Sequence, residues 1–205
     1  IDHLEMAQYL SADYEKFYSK TDHHYNLYGA YETYLRIMEY VNAHYRTAPV
    51  TEGLEITPVE SSFLGSRNRK LFGLFQSDDR LYTYTLADPV PFERYDNGNP
   101  VEATVFAADR QNMYNYYMGG DVAETVIHTN RPELPDVLVV GDSFTNALET
   151  ILYTSFDEMR SLDFRHYTEK SIYDYLKEYQ PDVILYVRDD LSYIVTDGNG
   201  GLGLQ

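Results

Sequence analysis

The stretch Asp136-Val137-Leu138-Val139-Val140-Gly141-Asp142-Ser143-Phe144 decides the fold. Val137 to Val140 is an unbroken apolar run, the mark of a strand buried on both faces of a sheet. Gly141, Asp142 and Ser143 then turn the chain, and Asn146 to Tyr153 reads as a helix. Further on, Met159 to Phe164 predicts a strand, Ser171 to Tyr179 a helix stopped by Pro181, and Val183 to Val187 another buried strand. Strand-helix-strand-helix-strand at this spacing predicts parallel β/α units. Ligands of such sheets bind at the carboxyl ends of the strands, so Ser143 stands at a place suited to chemistry. Residue type alone leaves two readings open: a nucleophile, or an ordinary helix N-cap.

Upstream, Leu4, Ala7, Leu10, Tyr14 and Phe17 fall on one helical face and predict an amphipathic helix over Leu4–Tyr18. Thr21-Asp22-His23-His24-Tyr25 follows, with Thr21 or Asp22 placed to cap a second helix whose stripe is Leu27, Tyr31, Tyr34, Met38, Val41 and Tyr45. This short segment offers an acid beside two imidazoles, which is what a hydroxyl nucleophile needs for a base and for an acid to orient it. Residues 50–130 change character. Leu81 to Leu86 alternates as a strand, Asp96-Asn97-Gly98-Asn99 marks a hairpin, and Ser61 to Phe75 reads as extended and loop-rich, with a basic knot at Arg67, Arg69 and Lys70. The chain therefore reads as one domain in three stretches: a helical Asp-His segment (1–49), an inserted β-rich lobe (50–130) and a β/α core bearing the serine (131–205). The Gly-rich end from Asp197 to Gly203 reads as flexible.

Composition narrows the function. Of 205 residues, 33 are acidic and 16 basic, a formal charge of −17, which argues against a nucleic-acid or anionic-membrane binder. The absence of cysteine excludes disulfides, thiolate metal sites and cysteine nucleophiles. No apolar run approaches the roughly 20 residues of a membrane span. The chain begins at Ile1 and shows no signal peptide; residues upstream are expected to have been removed or left out. Its 22 tyrosines and lack of tryptophan suit packing and, where exposed, contact with sugars.

Further candidates lie near the carboxyl ends of strands or at turns. Phe144 and Ser143 supply backbone N–H groups at a helix start, and Asn146 lies one turn on; with Gly120 these form a candidate oxyanion-binding set. His23, Tyr25, Tyr117 and Arg188 are candidate substrate contacts, each with a plain reading as packing or polar loop. Asp189 and Asp190 share the end of the last strand with Arg188. Adjacent histidines point apart, so a metal at His23 and His24 is disfavoured, and no Walker loop, dinucleotide fingerprint, H-E-x-x-H or EF-hand pattern is present. Neither a metal nor a cofactor is expected.

Taken together, Gly141-Asp142-Ser143-Phe144 resembles the serine block of the SGNH (GDSL-type) hydrolases, and Thr21-Asp22-His23-His24-Tyr25, followed by Gly29-Ala30-Tyr31, resembles the signature of the bacterial DHHW family, relatives of the alginate O-acetyltransferases. Ser62 to Ser66 and Leu162 to Tyr167 resemble DHHW proteins as well. In the alginate acetylation proteins the Asp-x-His pattern precedes the serine, which selects Asp22 and His24 over His23. Two departures stand out: Tyr25 replaces the family's tryptophan, and the family's N-terminal strand has no counterpart. The resemblance implies a three-layer, flavodoxin-like α/β fold. It also implies a Ser143-His24-Asp22 triad, an esterase or O-acetyltransferase acting on acetyl esters of cell-surface polysaccharide, and a place outside the cytoplasm. The competing expectation is a glycan-binding or structural surface protein that retains the skeleton without chemistry.

Overall fold

The computed structural model describes residues 2–75, 77–189 and 194–204. In chain order the elements are α1 (Ala7–Leu10), α2 (Tyr14–Phe17), α3 (Leu27–His44), β1 (Glu55–Ser62), α4 (Ser66–Lys70), β2 (Arg80–Thr85), β3 (Glu93–Asp96), β4 (Asn99–Val101), β5 (Glu124–His128), β6 (Val137–Gly141), α5 (Phe144–Leu152), β7 (Glu158–Leu162), α6 (Ile172–Glu178) and β8 (Val183–Val187). The six-stranded sheet runs β4-β3-β5-β7-β6-β8.

β6 is the organising strand. It is buried along its whole length and pairs in parallel with β7 on one side and β8 on the other. Successive side chains point to opposite faces of a strand. Val137 and Val139 accordingly join the core that holds Leu27, Tyr34 and Met38 of α3 and Leu148 and Ile151 of α5. Leu138 and Val140 point the other way, into a second cluster with Ile172 and Tyr175 of α6 and with Tyr179. Helices thus cover both faces of the sheet, as the buried Val-Leu-Val-Val run requires.

The expected parallel β/α units form in β6, β7 and β8, but the sheet as a whole is mixed. β5 joins β7 antiparallel, β3 joins β5 antiparallel, and β4 closes the edge through a hairpin. Asn97 (φ 49°) and Gly98 (φ 74°) form the hairpin turn, matching the paired positive φ of a type I′ connection. The middle of the chain is therefore not one inserted lobe. β3, β4 and β5 extend the main sheet, and only β1 and β2 stand apart as a two-stranded sheet. Alternation along β2 and the Asn-Gly turn identify strands locally, whereas the partner of a strand is set by contacts distant in sequence.

Three local expectations also change. The helix predicted over Leu4–Tyr18 is split into α1, a 3₁₀ turn at Ser11–Asp13, and α2; Asp13 leaves helical backbone at φ −145°, ψ 67°. Short polar residues such as Ser11 and Asp13 compete with the helix backbone for hydrogen bonds and favour such breaks. α3 is capped by Asn26, whose side chain accepts from the N–H groups of Tyr28 and Gly29, leaving Asp22 free for other partners. The Gly-rich end is stitched down: buried Asn199 donates to the Gly141 carbonyl (2.7 Å) and to Asp163 (2.9 Å), and accepts from Phe164 N–H (2.6 Å).

Candidate active site

The β6–α5 turn is tight. A Cβ on Gly141 would lie 2.3 Å from the Val187 carbonyl oxygen and 2.3 Å from Thr145 Cγ2, so only glycine lets β8 and α5 approach here. Ser143 sits at the first bend of α5, half-buried, and its side chain caps nothing. Asp142 is buried instead and accepts from Phe144 N–H (3.1 Å) and Asp189 N–H (3.2 Å), tying the helix start to the end of β8.

The segment between α2 and α3 reaches this turn from across the sequence. Thr21 is fixed by Asp79, which accepts from its N–H (2.8 Å) and its hydroxyl (2.7 Å). The Thr21 carbonyl in turn accepts from the N–H groups of Arg67 and Asn68 at the start of α4. Gly65 makes that contact possible, since a Cβ there would lie 2.4 Å from the Thr21 oxygen and 2.6 Å from Asp22 Cβ. So held, His24 Nε2 lies 2.8 Å from Ser143 Oγ, although 119 residues separate them. His24 Nδ1 lies 2.6 Å from Asp22 Oδ1. The carboxylate makes Nδ1 the protonated nitrogen and leaves the Nε2 lone pair facing the hydroxyl.

Asp22 is a hub. Its Oδ1 also accepts from the N–H groups of His23 (2.8 Å) and His24 (3.2 Å), and its Oδ2 accepts from Ser66 N–H (2.6 Å). Burial alone would push this carboxyl up. The hydrogen bonds from His24 and Ser66 together outweigh burial and hold it well below the usual carboxylate range. His23 makes a second pairing, Nδ1 to Ser66 Oγ at 2.7 Å. Its pKa is pushed down, chiefly by desolvation and then by the neighbouring His24. Tyr114 lies flat on the His24 ring at 3.7 Å and 6°, and its buried hydroxyl has no partner among the described residues.

The structure thus brings Asp22, His24 and Ser143 into one hydrogen-bonded chain and sets His23 beside it. It places the other candidates differently. Phe144 N–H already donates to Asp142, and Gly120 N–H donates to the Tyr117 carbonyl, so neither is open to an oxyanion. Asn146 gives one amide hydrogen to Asp121 (2.9 Å) and keeps a second. The Ser143 N–H has no acceptor among the described residues. Tyr25 is buried, packs edge-on against Phe144 and donates to the Phe144 carbonyl, so it tethers the two segments rather than facing a ligand. Tyr117 is fully buried; its hydroxyl donates to the Tyr82 carbonyl and accepts from Tyr82 N–H, both at 3.1 Å. Arg188 follows β8 with its guanidinium over the Tyr186 ring, 5.5 Å from the centroid, and bonded to the Tyr186 hydroxyl. Asp190 lies outside the described residues.

Among the described residues two groups have the donors of a metal centre. Ligand atoms of Asp22, His23 and His24 lie within 4.8 Å of one another, as do those of Asp121, Asp163 and His166. In the first, both His24 nitrogens are committed to Asp22 and Ser143. In the second, Arg165 already bridges Asp121 (2.8 Å) and Asp163 (2.5 Å). Both donor sets therefore fit hydrogen bonding better than cation binding. Sequence reasoning missed the parts played by Ser66, Asp79 and Tyr114. Ser66 fell inside a family-like block with no role attached, and the other two carry no motif.

Comparison with solved structures shows what this geometry is similar to. The fold is that of PatB1 from Bacillus cereus, which superposes with a TM-score of 0.77 at 25% identity over 92% of this chain and 69% of that one. A second PatB1 structure, carrying a sulfonyl adduct, superposes at 0.74 with 25% identity over 90% of this chain and 66% of that one. A DHHW family protein from Eubacterium siraeum shares the fold at a TM-score of 0.71 and 20% identity, over 90% of this chain and 62% of that one. The DHHW relatedness read from the motifs is thus met by a DHHW protein among the structural relatives. The chain spans about two thirds of the length of these relatives. A scan of protein-family models and a search of curated proteins return no match.

Proposed function

We propose that this chain is a serine-dependent acyl-ester enzyme with an SGNH-like three-layer core, using Ser143, His24 and Asp22. The observation that carries this reading is the pair of contacts at 2.8 Å and 2.6 Å linking hydroxyl, imidazole and carboxylate. Ser143 Oγ attacks an ester carbonyl while His24 Nε2 takes its proton, and Asp22 stabilises the imidazolium that results. The oxygen of the tetrahedral intermediate is held by Ser143 N–H and the spare amide hydrogen of Asn146. Collapse releases the alcohol, which leaves with the proton from His24, and an acyl-serine remains. A water or a sugar hydroxyl then gives its proton to His24 and attacks the acyl group; the bond to Ser143 Oγ breaks, Oγ takes that proton back from His24, and the acid or the new ester leaves. The sulfonyl adduct of PatB1 suits this reading, because sulfonyl groups are trapped by activated nucleophiles. By resemblance the acyl group is acetyl, the substrate an O-acetylated cell-surface polysaccharide, and the location extracytoplasmic.

The test is acetate release from an activated acetyl ester, with mass spectrometry of the Ser143 peptide. Ser143→Ala is expected to reduce the rate to background and abolish the acetyl-serine, and His24→Ala to do the same. Equal rates for wild type and Ser143→Ala would instead favour a binding or structural protein that retains the skeleton. Loss of activity in His23→Ala with activity intact in His24→Ala would reverse the assignment of the base.

A further inference from the structure

The sequence from Ser61 to Ser77 has no acidic residue in a chain that carries 33 of them, yet it holds Arg67, Arg69 and Lys70. The same stretch holds a run of exposed apolar side chains: Leu64, Leu71, Phe72, Leu74 and Phe75, with Phe72 92% and Leu74 83% exposed. This segment is built, not slack. Buried Asn68 accepts from Phe75 N–H (3.1 Å) and donates to the Phe75 carbonyl (2.5 Å), while its own carbonyl accepts from Gly73 N–H (2.9 Å). Phe72 is held at a positive φ of 56°, which costs a bulky residue energy. On the far side Asp78 pairs with Lys20 at 3.0 Å and Asp79 is buried against Thr21, which leaves exposed Glu60 as the acid bordering the stretch.

An apolar tip flanked by cations is the composition that inserts into the headgroup boundary of a bilayer carrying anionic lipid. We propose that residues 64–75 form a membrane-docking finger selective for anionic lipid surfaces. The formal charge of −17 disfavours such a surface at long range, as the composition implies, but at physiological salt that repulsion decays over about 8 Å, and the finger, which carries no acidic residue, touches the surface directly. A soluble polyanion would engage the cations and leave Phe72 and Leu74 in water; a bilayer accounts for both. The finger adjoins the site through α4, whose first residue, Ser66, bonds Asp22. Docking therefore presents the Ser143 region to substrates lying close to the membrane. The inference does not depend on the esterase reading.

The experiment is sedimentation of the full chain with vesicles of neutral phosphatidylcholine, and with vesicles containing about one third phosphatidylglycerol. Binding to the anionic vesicles alone is expected, weakening as salt rises. Replacing Arg67, Arg69 and Lys70 together by glutamine is expected to weaken it at least tenfold, since each cation near such a surface contributes to attraction. Phe72→Ser with Leu74→Ser is expected to weaken it at least tenfold while hydrolysis of a soluble ester stays unchanged, because neither residue touches the site. No binding to anionic vesicles, or undiminished binding by the double serine variant, would overturn the proposal. So would concentration-dependent self-association that Phe72→Ser relieves, since the finger would then belong to a second copy of the chain.

Discussion

Asp22→Asn separates the charge of the hub from its geometry. The carboxylate accepts four hydrogen bonds: on Oδ1 from His24 Nδ1 (2.6 Å), His23 N–H (2.8 Å) and His24 N–H (3.2 Å), and on Oδ2 from Ser66 N–H (2.6 Å). An asparagine has one accepting oxygen and one donating amide. Placing the amide at the Oδ1 position would set it against two backbone N–H groups that cannot turn away. Placing it at the Oδ2 position opposes only Ser66. The oxygen therefore stays toward His24, and the imidazole keeps its tautomer. What is lost is the negative charge facing the imidazolium, which at about 4 Å and an effective dielectric near 20 is worth up to about 4 kcal/mol. The expected loss in kcat/KM is about 10²- to 10³-fold, short of the roughly 10⁴-fold that follows when the same change flips a triad histidine. The stranded Ser66 N–H costs about 1–3 kcal/mol of stability. The pH dependence follows from the direction of the shift. Asp22 is depressed in the folded state, so its stabilisation is present above the unfolded carboxyl value of about 4 and is lost as pH falls below it. The variant should lack that part of the acid limb. Ester hydrolysis and urea melts at pH 3 to 7 measure both effects. A loss of 10⁴ or more would refute the donor count; a loss under tenfold would refute a charge-stabilising role for Asp22.

Other expectations test the supports of the site. Gly65→Ala drives a Cβ into Thr21 and Asp22 and should cost about 1–3 kcal/mol in a chemical melt, with activity about 10- to 100-fold lower as the acid is displaced. Tyr114→Phe removes a buried hydroxyl with no partner while keeping the stack on His24, so a thermal melt should show a gain of about 1 kcal/mol and an ester assay no loss. Glu149 is buried and its carboxyl is pushed up by desolvation, against the hydrogen bonds from Ser161 and Thr145. That penalty grows as pH rises above the unfolded value of about 4.3. Glu149→Gln should therefore raise Tm at pH 7 by about 2–4 °C and leave it unchanged at pH 4.

Much of this architecture was legible in the residues. The Val137–Val140 run, the Asn97-Gly98 turn and the helical stretch from Ser171 to Tyr179 are local signals, and each element formed close to where the pattern placed it. Sheet membership was not legible, because the pairing of β5 with β7 joins residues about as far apart as Thr125 and Ser161, and nothing in either strand names its partner. The site divides the same way. Asp22, His24 and Ser143 carry motifs, while the donors proposed for an oxyanion depend on which backbone N–H groups other acceptors have already taken. Asp142 takes that of Phe144, a choice of rotamer and not of residue type. Tyr25 and Tyr117 look like ligand contacts in a tyrosine-rich chain; in the fold both are ties between buried segments.

The 119-residue gap between base and alcohol has a bearing on biosynthesis. A nascent chain carries the His24 imidazole out of the ribosome 119 residues before the Ser143 hydroxyl, and their contact needs both segments in place. On the proposed function, a copy that has not yet made this contact lacks the base for its serine, and ester cleavage becomes a report that the two segments have reached their native arrangement.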